Sequence, residues 1–343
     1  MATTFKTITA NDVTNSRTLL HEAIPLTGTI ASGTYNDDNV KTFSHGMFQS
    51  VYDYPYLSSS ANHIFDITHG YSSDSALSGT GQTQNAKKIN IYNQMASVLV
   101  GHDATGSIRK FDQDGNIASG GTKHKEVFFL NFARLLAKDE VKKDSFRISF
   151  LTGGTPDART DTLTIGDYGA STSYLVNSPA GEYGILYTSS ATPNADSGVG
   201  LIYYQAGVAV FTGSIFDGGT DSLGPGVSSG SYDSLATGSN VDAMADAIRN
   251  RLVDIDFNNT VELNSTIYFC RANHNEFNYS ANPTYLSSSQ IRVKNTTSDN
   301  PVSYITTVGL YSSDNELLAV AKLSEPLKKD PNTELTIRVR LDY

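Results

Sequence analysis

Apolar residues along the chain recur with two different periods, and the change falls near Ser145. Before it, several stretches carry apolar positions three and four apart, the mark of one buried helix face. In residues 9–24, Val13, Leu19, Leu20 and Ile24 form a ragged face, Thr9 and Asp12 sit at capping-box spacing, and Pro25 follows as a stop. In residues 86–100, Tyr92, Met95, Ala96 and Leu99 share a face, and Gly101 ends the run. In residues 125–139, Phe128, Phe132, Leu135 and Leu136 make a stripe, with Lys142 and Lys143 beyond it, where cations oppose a helix dipole. A last helical pattern, Met244, Ala245, Ile248 and Leu252, lies in residues 240–252. After Ser145 the period is two. Phe146, Ile148 and Phe150 alternate, and short β-rich runs follow at 162–165, 173–176, 184–188, 200–204 and 208–212. The last two, joined by Gln205-Ala206-Gly207, read as a hairpin.

The end of the chain is the most strongly patterned part. Residues 304–311 and 316–323 read as strands joined by the turn Ser312-Ser313-Asp314-Asn315, with Pro326 ending their pairing. Residues 334–341 then alternate strictly, with Leu335, Ile337, Val339 and Leu341 on one face. This order of runs predicts an α+β fold, mainly antiparallel β-sheets with three to four helices concentrated in the N-terminal half. The changes of texture divide the chain into an N-terminal mixed α/β region (1–144), a β-rich middle region with long loops (145–235) and a C-terminal helix plus antiparallel β module (236–343).

Composition narrows the function. Only 17% of the residues are charged and the net charge is −10. That argues against a nucleic-acid or anionic-membrane partner, which needs clustered Lys and Arg. No window approaches the ~20 apolar residues of a membrane-spanning helix, and the start of the chain has no secretory pattern. The single cysteine, Cys270, lies in an apolar run and reads as a small buried hydrophobe. The chemical motifs fail one by one. Asp112-Gln113-Asp114-Gly115-Asn116 begins like a calcium loop, but the position that needs a glutamate is Lys123, so it reads as a hairpin turn. His63 and His69, with Asp66 between them, lack the spacing of a zinc-protease helix, and Ile64 and Ile67 make this stretch a strand. There is no nucleophile elbow, phosphate loop or dinucleotide fingerprint. No catalytic residue, cofactor or metal site is therefore expected, and the chain reads as a non-enzyme.

What stands out instead is aromatic. The stretch 44–60 holds Phe48, Tyr52, Tyr54 and Tyr56 without clean periodicity, and these rings either line a core or form a contact surface. The stretch HNEFNYSANPTYL at 274–286, the strings YITTVGLY at 304–311 and ELLAVAKL at 316–323, and the final Leu341-Asp342-Tyr343 resemble the C-terminal module of virion structural proteins from large contractile-tailed bacteriophages, notably those of marine bacteria and cyanobacteria. Residues 18–28, 44–63, 87–93, 126–145 and 200–216 resemble segments of the same family. The resemblance implies a structural subunit of the virion, made in the host cytoplasm and assembling by symmetry in the contractile tail or baseplate. Its partners would be other virion proteins, in a homo-oligomer or a symmetric hetero-assembly. Phe48, Tyr52, Tyr54, Tyr56, Phe277, Tyr279 and Tyr343 become the candidate interface residues. A neck or tail-fibre attachment protein is the alternative within this class. A receptor-glycan-binding or depolymerising tail protein is the alternative outside it, weakened by the lack of tryptophan.

Overall fold

The computed structural model describes residues 5–25, 37–117, 120–155, 158–188, 197–216, 232–279, 286–287, 290–291 and 302–343. They belong to two compact units, a body of residues 20–261 and a smaller unit formed by residues 1–19 and 262–343. In chain order the strands are β1 (Val13–Pro25), β2 (Val40–Thr42), β3 (Gln49–Tyr52), β4 (His63–Tyr71), β5 (Phe111–Asp112), β6 (Lys123–His124), β7 (Glu126–Phe132), β8 (Glu140–Val141), β9 (Arg147–Thr155), β10 (Ala158–Gly166), β11 (Leu175–Ser178), β12 (Gly181–Thr188), β13 (Gly198–Tyr203), β14 (Val208–Thr212), β15 (Leu252–Ala272), β16 (Leu286–Ser287), β17 (Gln290–Ile291), β18 (Ser303–Tyr311), β19 (Leu317–Lys329) and β20 (Leu335–Asp342). Five α-helices lie among the described residues: α1 (Asn85–Leu99), α2 (Arg134–Ala137), α3 (Ala170–Ser173), α4 (Tyr232–Gly238) and α5 (Val241–Arg251).

The body is one antiparallel sheet in the order β15-β9-β10-β12-β13-β14-β7-β4-β3-β2. Its central strand is β7, and the sequence shows why. Val127, Phe128, Phe129 and Leu130 are consecutive apolar residues, so both faces of the strand must be covered. Phe128, Leu130 and Phe132 enter one core, while Val127 and Phe129 enter another on the opposite face. On the first face the sheet curls over itself. Four strands separate β7 from β9, yet the Phe128 ring meets Phe150 edge-on at 5.6 Å and stacks on Phe211 at 5.1 Å. Phe132 likewise meets Phe146 and Phe257 at 5.8 and 5.1 Å. The segment after β7 closes this curl: β8 pairs with β15 at Asn259 and Thr260, and the Val141 N–H donates to the Tyr204 carbonyl. The second face is covered by α1. A methyl group at Gly70 of β4 would stand 2.6 Å from the Lys88 carbonyl oxygen, so the helix backbone lies directly on the strand there. The Lys88 side chain is itself buried, and its ammonium donates to the Ala236 and Ser239 carbonyls at the end of α4. It supplies a positive charge to carbonyls that the helix leaves unpaired.

Several expectations are overturned. The fold is mostly antiparallel β-sheet, not an α+β fold with helices gathered in the N-terminal half. Residues 9–24 form a short 3-10 turn at Ala10–Asp12 and then β1, a strand that pairs with β15. Its helical apolar face was illusory, since Leu19 and Leu20 are both exposed. Residues 125–139 form β7 and the one-turn helix α2, and Leu135, assigned to a buried stripe, is 82% exposed. A run with apolar residues at adjacent positions satisfies helical spacing by accident, and burial on two faces settles it as a strand. The patterns at 86–100 and 240–252 do form helices, α1 and α5. The stretch 218–240, whose Gly and Ser content and few apolar residues suggest a loop or linker, holds α4 in its described part, and the short apolar run at 26–30, which suggests a strand, lies outside the described residues.

In the smaller unit β20 pairs with β15 along its whole length, from Ala272↔Leu335 to Ser265↔Asp342. The β18–β19 pair forms a separate two-stranded ribbon. Pro326 does not end it. Pairing breaks at a bulge after Thr307↔Lys322 and resumes at Ile305↔Leu327, so the proline sits where no ladder N–H is required.

Truncating Phe128 to alanine is expected to cost the body ~3–5 kcal/mol, the usual range for a buried aromatic. Leu135→Ala, at a surface position, should change stability by less than ~0.5 kcal/mol. Urea unfolding of the two variants checks the contrast.

Candidate assembly interface

The aromatic residues of the stretch 44–60 collect near one edge of the body sheet, next to the edge strand β2. They form two groups. Phe48 packs on Phe43 at 4.9 Å and on His45 at 5.1 Å, and the Lys41 ammonium lies 5.0 Å over the Phe43 ring. Tyr52 packs on Tyr56 at 6.3 Å and on His63 at 5.5 Å. Tyr54 is 57% exposed and Leu57 beside it is more exposed still. Hydrogen bonds hold the loop that carries them: Asp53 accepts from the Asn62 backbone N–H and side-chain amide, and Tyr56 N–H donates to the Asp38 carbonyl. On this loop Tyr54 and Tyr56 are exposed, while Phe48 and Tyr52 are half-buried.

The smaller unit carries the other three candidates. Phe277 and Tyr279 follow the turn Asn273–Glu276, where Glu276 accepts from the Asn273 N–H at 3.0 Å. Phe277 holds a left-handed backbone (φ +55°) and is half exposed. The base of the ribbon fastens this turn. Lys329 is fully buried, and its ammonium donates to Asn278 Oδ1 at 2.6 Å and to the carbonyls of Asp330 and His274 at 2.9 and 3.3 Å. The Ser303 hydroxyl donates to the Phe277 carbonyl. Tyr343 exchanges backbone hydrogen bonds with Asn264 at 2.8 and 3.0 Å, and its ring is 75% exposed. The four body residues thus belong to one unit and Phe277, Tyr279 and Tyr343 to the other.

The smaller unit carries a further exposed apolar surface that the residue pattern alone does not reveal. On the β18–β19 ribbon, Tyr304, Tyr311, Leu317, Leu318, Val320 and Leu327 are all exposed, Leu318 to 67%. Tyr311 and Leu317 fold over Gly309, and Phe5 packs on Tyr311 at 4.8 Å. Side chains at 319, 321 and 323 are half-buried, while 318, 320 and 322 face solvent. In the sequence, Leu317–Ala321 looks like a strand covered on both sides, because apolar residues occupy both parities. The signal that it is not covered is its position, in a hairpin with only two strands.

The histidine and acid candidates have structural surroundings. His63 Nε2 and Asp66 Oδ1 are 2.8 Å apart, and Asp66 also accepts from the Ser50 hydroxyl. The carboxylate raises the His63 pKa above its usual value. His69 is fully buried, and neither ring nitrogen has a hydrogen-bond partner among the described residues. Among the described residues no three His, Cys, Asp or Glu side chains converge as a metal site. Asp112 pairs with Lys123, and Asp114 accepts from the Asn116 N–H. No protein-family model, curated protein or solved structure matches the chain.

Buried titratable groups give the body a definite acid response. Burial, with the Lys88 charge nearby, pushes His69 down to about 3, and burial pushes His124 down to about 4. Both take up a proton near 6.5 once unfolded. Their contribution to stability is intact above pH ~6.5 and is lost as pH falls toward the folded values. Asp167 works against them. Burial lifts its carboxyl to about 6, although the Asp144 and Phe146 N–H groups, Arg147 and Tyr204 all donate to it. Charging it therefore costs stability as pH rises from ~3.8 to ~6. His69→Leu should remain folded at pH 7 and gain on wild type as pH falls from 6.5 to 4, by up to ~3 kcal/mol. Urea midpoints across that range check this, and parallel acid limbs for the two proteins would contradict it.

Proposed function

We propose that this chain is a structural subunit of a contractile-tailed bacteriophage virion, sited in the tail or baseplate, and that it works by assembling with other virion proteins rather than by catalysis. The observation that supports this reading is the β18–β19 ribbon. A two-stranded ribbon is at best marginally stable in water unless a further layer covers it, and this one shows solvent a row of Leu, Val and Tyr side chains. Monomeric proteins seldom leave such a contiguous apolar surface uncovered, and assembly interfaces are where it occurs. The residues concerned, 304–311 and 316–323, are also those that resemble the virion family.

The architecture suits the task. The curled, aromatic-filled sheet of the body gives a rigid block that displays Tyr52, Tyr54 and Tyr56 without needing to rearrange. Tyrosine contributes large contact area with little entropy to lose, and its hydroxyl remains able to bond at a wet rim. The ribbon and the Phe277–Tyr279 turn, fastened together through Lys329 and Ser303, offer a second contact element on the smaller unit.

The test is to purify particles from infected cells, wash them in high salt and locate the chain by labelling and electron microscopy. The expected result is a fixed, symmetric set of copies in the tail or baseplate. A chain absent from particles, or one that binds or shortens host-surface polysaccharide in free solution, would overturn the reading in favour of a glycan-directed protein.

A further inference from the structure

The open edge of the ribbon says what kind of partner would complete it. Among the described residues, β18 is the sole strand paired with β19. The other edge of β19 is bounded at one end by the turn at Ser312–Asn315, where the Ser312 N–H donates to the Glu316 carbonyl, and at the other by the bulge that holds Pro326. Between them runs Glu316-Leu317-Leu318-Ala319-Val320-Ala321-Lys322. Soluble proteins usually protect an edge with inward charges, prolines or bulges along its length. Here the charges stand at the two ends of the window, with opposite signs, and five apolar residues lie between them.

That arrangement is complementary to itself. When two copies of β19 lie antiparallel about a two-fold axis through Ala319, each residue faces the one equally far from 319 in the other copy. Glu316 faces Lys322, Leu317 faces Ala321, Leu318 faces Val320, and Ala319 faces Ala319. Both charged pairs are opposite in sign, and every apolar residue meets an apolar residue. Leu318, Val320 and the two charged residues share the exposed face, so both ion pairs and both Leu–Val contacts form on one surface. Slipping by two residues sets Glu316 against Val320, or Lys322 against Leu318, and forfeits the match. Both charged side chains are exposed.

We propose that the partner at this edge is a second copy of the same chain. Two ribbons join through β19 into a four-stranded antiparallel sheet, with residue 319 on the two-fold axis. An isologous contact of this kind is self-limiting, since each copy uses the same patch. The sheet so formed has the strand number at which such structures become stable. This inference rests on the reading of the chain as an assembly subunit and names one of that subunit's partners.

Charge reversal tests it on the full chain. Glu316→Lys and Lys322→Glu each turn two attractive pairs into like-charge pairs, and each is expected to weaken self-association about tenfold or more in sedimentation velocity at low salt. The double variant exchanges the charges and should recover association to near wild type. Opposed α-carbons in an antiparallel pair lie ~4.5–5.5 Å apart, within disulfide reach. Ala319→Cys should therefore give, on mild oxidation, a dimer whose bond maps to residue 319, whereas Leu323→Cys should not. Failure of the double variant to recover, with no 319–319 bond, overturns the inference. If the chain still enters particles in that case, the subunit reading stands and the ribbon takes a different partner. A chain that never enters particles fails the subunit reading itself, whatever its behaviour in solution.

Discussion

The contact between strands that are distant in the sheet, Phe128 and Phe132 of β7 against Phe146, Phe150 and Phe257, decides the form of the body. A long antiparallel sheet left open would expose one apolar face along its whole width. Curling brings that face against itself, and rings large enough to span the gap are needed to fill it. The helices then have a smaller task. α1 seals the opposite face over Gly70, and α5 adds Met244, Ala245 and Ile248 to the aromatic core. The loop that carries Tyr52, Tyr54 and Tyr56 hangs on β3 and β4, and β4 is paired to β7 over seven residues. A tyrosine surface held this way is ordered before it meets a partner, which lowers the entropy lost on binding.

The smaller unit obeys the opposite constraint. β20 has the alternation of a half-buried strand and finds its partner in β15, so it is satisfied within the chain. The ribbon has apolar residues on both faces and only two strands. No arrangement of a two-stranded ribbon can bury both of its faces unaided. Its stability is therefore linked by mass action to whatever covers it. Under the proposed function, completing the sheet at this ribbon would contribute favourable free energy to assembly.

Much of this was legible in the amino-acid order and some was not, for physical reasons. Residues whose environment is one-sided were read correctly. Phe146, Ile148 and Phe150 alternate because one face of β9 meets the core. The β13–β14 hairpin is buried on both faces and is legible instead through its turn, where Gly207 takes a positive φ. Met244 and Ile248 keep helical spacing because α5 buries one stripe. The failures came where burial is two-sided or nearly absent. In β7 adjacent apolar residues mimic a helix, and in β1 the apolar residues are mostly exposed, so their spacing carried no information about a core. Lys88, His69 and Lys329 are buried, yet a charged or polar residue in a sequence gives no sign that folding will enclose it. The candidate tyrosines were conspicuous by type. The Leu317–Ala321 edge was visible as a strand, and only the count of strands beside it reveals that it lacks cover among the described residues.

The most direct measurement is amide hydrogen exchange along residues 317–322, compared between dilute free chain and assembled particles, with residues 127–132 of β7 as the internal standard. The expected result is slow exchange in β7 under both conditions, with fast exchange at 317–322 in the free chain that becomes slow in the particle. Residues 317–322 protected as strongly as β7 in the dilute monomer would contradict a ribbon completed by assembly, because the chain alone would already supply its missing layer.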